Sequence, residues 1–152
     1  MSHNNNLKFK IMSKTIMKPL LIIMLLSLTT TVFSQQIVVG EKDTIANISS
    51  SGIITDAMDN PIGEITSSGV IKNAQGETLG NVVGDEFKDV SGVVRGEKVV
   101  AGNETQIKVG GEVIIGTVQS GNKIIDTHTS QVLINSVGAV SETQLIAYFL
   151  FF

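Results

Sequence analysis

A phrase of about 17 residues recurs through the chain after residue 36, and this period limits the possible folds more than any other feature. Residues Ile54 to Ile65 align without a gap on Ile71 to Val82, and the same frame fits Ile107 to Val118. Phe87 to Lys98 follow it more loosely, keeping Gly92 and Gly96, and a fifth copy begins near Ile124. An earlier copy, Ile37 to Ile48, fits if Ala46 takes the place of the glycine. A unit this short cannot bury a core of its own, so the copies must pool their apolar side chains in a shared interior.

Each unit opens with a β-branched or aromatic residue and crosses a polar turn such as Asp59-Asn60-Pro61 or Ala74-Gln75-Gly76. It then runs into a second apolar segment, the pattern of a β-hairpin. Helix is disfavoured because glycine recurs every few residues, at roughly 1 kcal/mol each relative to alanine. Ile62 and Ile65 are three apart, so strict alternation would put them on opposite faces of a strand. A bulge at Gly63 would return both to one face and bend the strand. The same device at Gly80 and Gly116 would curve successive hairpins around an axis, and closure around it would remove exposed sheet edges. The simpler alternative is that glycine lets a neighbouring backbone approach. Gly63, Gly76, Gly80, Gly92, Gly96 and Gly116 are therefore assigned structural roles. Ser49 to Gly52 and Thr66 to Gly69 read as matching tight linkers between units, with Gly84 and Gly121 in similar places.

Residues 1–34 read as an export signal. Lys8, Lys10, Lys14 and Lys18 form a basic segment, Leu20 to Leu28 an apolar one, and Val32-Phe33-Ser34 a cleavage site. The segment is short of the roughly 20 apolar residues that a membrane anchor needs. Met1, Met12 and Met17 all remain open as the start. All 14 acidic residues but only seven of the 11 cations follow residue 34, a net charge of about −7 that argues against nucleic acid as a partner. Without cysteine there is neither a disulfide nor a thiolate metal site to staple the fold. The expectation is one all-β domain over 35–152, built of about five glycine-punctuated hairpins around a common core, with units starting near 37, 54, 71, 87, 107 and 124.

The tail, 141–152, breaks the pattern. Ser141 and Gln144 form a capping box, and the segment after it is apolar on every side, so it must be buried as a short helix or strand. Leu145, Ile146, Tyr148, Phe149, Phe151 and Phe152 are expected to plug the hairpin ring or to pair with the N-terminal strand. A subunit interface and the end of an outer-membrane barrel are the alternatives, the latter opposed by the absence of aromatic girdles.

The phrases Gly52-Ile53-Ile54, Gly69-Val70-Ile71, Ile62-Gly63-Glu64-Ile65 and Leu79-Gly80-Asn81-Val82, together with the aromatic tail from Ala147 to Phe152, resemble the small exported bacterial 5-fold β-flower proteins. The resemblance covers nearly all of 37–152 and implies hairpins in pseudo-fivefold symmetry, with no catalytic residues to carry over. The chain departs from that pattern at Arg95 and Lys98, which replace apolar residues, and near Ile124, where the glycine is missing.

Candidate sites are few. His128 is the one imidazole after the leader (His3 belongs to the leader) and sits in a turn. Asp56, Asp59 and Asn60 could offer oxygens to calcium, but their spacing fits no calcium loop and suits turn chemistry. Asp85, Glu86 and Asp89 read as a solvated face. Lys88, Arg95 and Lys98 concentrate three cations in one unit, either as an exposed hairpin paired with Asp89 and Glu97 or as an anion or glycan contact. Because burying unpaired charges is costly, that hairpin is expected to project into solvent or splay from the ring. Taken together, these features suggest a periplasmic or surface-exposed, non-enzymatic structural or binding module without cofactor or metal. Its ligand is unspecified, and self-association or a cell-envelope component are the partners left open. The alternatives are an envelope glycan hydrolase, which needs two convergent carboxylates, and a small outer-membrane-associated β protein.

Overall fold

Each repeated phrase folds as one antiparallel hairpin. The computed structural model describes residues 35–39 and 43–152, so the segment 1–34 expected to be an export signal, His3 and the candidate starts lie outside the described residues. The strands are β1 (Gln35–Val39), β2 (Asp43–Ile48), β3 (Ile53–Asp56), β4 (Pro61–Ile65), β5 (Val70–Asn73), β6 (Thr78–Val83), β7 (Glu86–Asp89), β8 (Val94–Ala101), β9 (Glu104–Val109), β10 (Val113–Gln119), β11 (Lys123–Ile125) and β12 (Val132–Val137). A helix, α1 (Glu142–Phe151), follows. Every strand pairs with the next, and β12 pairs back on β1 to close a barrel. Six hairpins close the ring where about five were expected. The copies at Ile37 and Ile124 are full members although Ala46 and Ile134 replace their glycine, because ladder pairing needs only backbone groups.

One irregularity recurs in all six hairpins. The two strands slip by one residue, leaving Ile45, Ile62, Leu79, Arg95, Ile115 and Leu133 as the extra residues of six bulges. The junctions between hairpins keep an even register. Each bulge thus falls one residue before the glycine rather than on it. The following position (Ala46, Gly63, Gly80, Gly96, Gly116, Ile134) stands opposite the opening residue of its unit. Those six opening residues, Ile37, Ile54, Ile71, Phe87, Ile107 and Ile124, are all buried in the core, and Ile62 is half-buried against it. Bulging bends a strand and raises its twist, so repeating it once per hairpin curls the sheet onto itself.

By alternation, the positions flanking this core point outward, and several cross-strand pairs among them are polar: Asn47 faces Thr55, Glu64 faces Lys72, Asn81 faces Lys88 and Glu97 faces Lys108. Ile53, Val83, Val100, Val113 and Val137 are exposed apolar residues of the barrel strands. The Lys72 ammonium lies 3.1 Å from Glu64.

Twelve strands spaced ~4.8 Å apart make a ring roughly 18 Å across, whereas an eight-stranded barrel is already filled by its own side chains. The extra width matches a helix, about 10–12 Å thick with its side chains. Leu145, Ile146, Ala147 and Tyr148 are buried in succession, and four residues make more than one full turn, so α1 is enclosed on all sides. Its start is capped as the sequence indicates: the Gln144 backbone N–H donates to Ser141 Oγ at 3.2 Å, and the Ser141 N–H donates to Gln144 Oε1 at 3.1 Å.

At the hairpin tips one geometry repeats. Asp56 Oδ1 accepts from the N–H groups of Met58 and Asn60, Asn73 Oδ1 from Gln75 and Glu77, and Asp89 Oδ1 from Ser91 and Val93. The fourth residue of each tip takes left-handed backbone. It is Gly76 or Gly92 in two tips but Asp59, at φ 64°, in the third. An L residue is disfavoured there, so Asp59→Gly should raise stability by up to about 1 kcal/mol, net of the entropy glycine adds to the unfolded chain. Urea unfolding measures this; an unchanged or lower midpoint contradicts it.

Candidate functional site

With its interior occupied, the barrel has recesses at its two mouths. Near the turns that link hairpins, the start of α1 meets the Ile65 to Gly69 segment around a recess of about 340 Å³, where Ser141, Thr143 and Gln144 face Thr66 and Ser67. At the tip mouth, Leu79, Asp89, Arg95, Leu150 and Phe151 surround a recess of about 240 Å³.

The glycines decide how α1 fits. A Cβ built on Gly63 would lie 2.5 Å from the Phe152 ring, one on Gly80 2.7 Å from Phe151 Cε1, and one on Gly96 2.6 Å from Leu150 Cδ1. Three successive hairpins thus offer bare backbone to three successive residues at the end of the helix. Gly116 instead faces Ile124 within the wall, and Gly76 and Gly92 shape the tips. Leu145, Ile146 and Tyr148 are buried, while Phe149 and Phe151 are half-buried. Phe152 is 41% exposed and stacks on Tyr148 with ring centroids 5.7 Å apart, so it lids the mouth rather than filling the interior.

The three cations of the fourth hairpin do not converge on a common point. Arg95 is the bulge residue, and its Nε donates to Asp89 Oδ2 at 3.1 Å at the tip mouth. Lys88 points outward and pairs with Glu86 at 2.6 Å. Lys98 takes the inward place that Ile48, Ile65 and Val118 hold in other hairpins. Its ammonium lies 3.2 Å from Asp85 and 3.8 Å from Glu142, in the first turn of α1. The hairpin neither splays nor projects, contrary to the sequence expectation: Phe87 is fully buried and the Lys98 backbone N–H donates to Asp85 O. Its charges are accommodated because a long aliphatic stem can lie along apolar surface while its head reaches the rim. Glu97 is not a partner of these cations; its strand neighbours are Glu86 and Lys108. The Lys98–Glu142 contact was missed by the sequence reading, although a cation in an apolar register position and an acid at a capped helix start were both visible.

His128 is exposed at the tip of the sixth hairpin, its N–H donating to Asp126. Among the described residues, no cluster of three or more His, Asp or Glu could hold a metal ion. The carboxylate Oδ1 of Asp56 is committed to its own turn, as described above.

Turn hydrogen bonds shift three carboxyls. The Asn60 side chain and N–H hold Asp56 below the ordinary carboxylate value of 3.8, and the Thr129 N–H and hydroxyl do the same for Asp126. For Asp89, partial burial pulls upward but is outweighed by the Val93 and Ser91 N–H groups and by Arg95. Burial alone pushes the Tyr148 phenol up. A depressed folded-state value means the stabilisation is fully present above the unfolded value and is lost as pH falls through the lower folded one. The melting temperature should therefore decline as pH drops below about 4. Replacing Asp56, Asp89 and Asp126 by Asn keeps the turn acceptor, as native Asn73 does, and should flatten that decline. An equally steep decline in the triple variant contradicts the assignment.

No protein-family model, curated protein or solved structure matches this chain.

Proposed function

We propose that the chain is an exported, non-enzymatic structural or binding module of the cell envelope, working through the two mouths and the outer wall of a barrel plugged by its own helix. The occupied interior carries this reading, since an enclosed cavity for a substrate is replaced by the core residues Leu145, Ile146, Ala147 and Tyr148. Export rests on the leader composition. The hydrolase alternative is less favoured because Asp89, the single carboxylate of the tip recess, is tied to Arg95 and to its own turn, and Asp85 and Glu142, which do approach each other, are both held by the Lys98 ammonium between them. The outer-membrane alternative is disfavoured by the charged cross-strand pairs on the outer wall, Glu64 with Lys72 and Glu97 with Lys108, which a lipid-facing band would exclude. Membership of the 5-fold β-flower family belongs to the same proposal, and its fivefold plan would here be expanded to six hairpins.

The test is a pull-down with the exported form from envelope extract, alongside an unfolded control. A partner retained by the folded barrel alone supports the module reading. Equal capture by both samples, or by neither, refutes the binding role and leaves the structural one.

A further inference from the structure

We propose that the tip recess beside Arg95 binds a small amphipathic monoanion, the carboxylate of a medium-chain aliphatic acid. This deepens the binding reading above and rests on it. Five of the six bulge positions carry an aliphatic side chain, Ile45, Ile62, Leu79, Ile115 and Leu133, all packed against the core. The sixth is Arg95, with its side chain 61% exposed. An aliphatic residue there would close the rim. The guanidinium leaves it open, and the recess of about 240 Å³ lies between Arg95, the Leu79 bulge of the preceding hairpin and the last turn of α1.

The chemistry of the recess selects the ligand. Leu79, Leu150 and Phe151 supply an apolar surface suited to a hydrocarbon chain. Asp89 is fixed by the Ser91 and Val93 N–H groups on one oxygen, and with the other it accepts from Arg95 Nε at 3.1 Å. That bond orients the guanidinium, while its terminal amino groups meet no protein acceptor among the described residues. A planar fork held in this way matches a carboxylate through paired N–H donors. Because Asp89 already offsets part of the positive charge, the remainder suits a single negative charge better than a phosphate dianion.

The experiment is a two-dimensional amide NMR titration of the exported protein with sodium octanoate, and in parallel with 1-octanol. Octanoate should shift the amides of Leu79, Asp89, Arg95, Leu150 and Phe151, with a dissociation constant on the order of 1 mM. Octanol should bind about tenfold more weakly. Arg95→Leu restores the residue type of the other hairpins and should weaken octanoate about tenfold while leaving octanol unchanged. Arg95→Gln serves in its place if the leucine variant fails to give a native amide spectrum. Equal affinity for the two probes, shifts away from the recess, or undiminished octanoate binding in the variant overturns the site. If octanoate fails to bind, this site is lost, while the pull-down decides the broader binding reading independently.

Discussion

Deletion of residues 145–152 should leave no soluble folded barrel. The segment contributes Leu145, Ile146, Ala147 and Tyr148 to the core, and the twelve-stranded wall cannot close over the space they fill. Truncating one buried Leu or Ile to Ala costs about 2–5 kcal/mol, and a whole domain is stable by only about 5–15 kcal/mol. Removing several at once exceeds that margin. Ile146→Ala, by contrast, should fold and lose about 2–4 kcal/mol, which separates a lost plug from a general intolerance of change. Circular dichroism and size-exclusion chromatography decide the matter. A deletion variant with native strand signal and unchanged size would refute the plug role, and one that folds as a defined oligomer would restore the tail as a subunit interface.

Gly80→Ala should cost about 2–3 kcal/mol, far more than the usual effect of alanine in a strand. The added methyl would collide with the Lys88 carbonyl of the neighbouring strand as well as approaching Phe151 to 2.7 Å. A ring can rotate away, but a carbonyl fixed in the ladder cannot. Phe151→Ala should therefore fail to rescue Gly80→Ala. Gly96→Ala, whose nearest neighbour is the flexible end of Leu150, should cost less than about 1 kcal/mol. Urea denaturation of the three variants measures the ordering. Equal losses at Gly80 and Gly96 would show that glycine here serves local strand geometry and not the approach of a neighbour.

The hairpins were legible in the sequence because side-chain alternation, turn residues and repeat spacing agree along each unit. The bulges were legible from the three-residue gap between Ile62 and Ile65, although the extra residue proved to be Ile62. The capping box at Ser141 specified a helix start in the same way. The sixth hairpin was underweighted because Ala46 and Ile134 hide the glycine signal, while the ladder depends on backbone groups that every residue carries. Which strands face the helix, and that Gly63, Gly80 and Gly96 make room for Phe152, Phe151 and Leu150, could not be read. Those contacts join residues some 50 to 90 apart, and one sequence has no local pattern to report them. For Lys98 the sequence likewise conceals one partner, Glu142, 44 residues on, whereas Asp85 lies only 13 residues before it in the turn that leads into the same hairpin.

The seam between β1 and β12 has a kinetic consequence. Every other strand pairing joins near neighbours along the chain, whereas Gln36 meets Val137 about 100 residues away. Local hairpins form fast and long-range ladders slowly. Neither the seam nor its enclosed helix can exist before the last residues are synthesised. The barrel therefore stays open, with both edges of its sheet unpaired, until β12 and α1 are available to close and fill it.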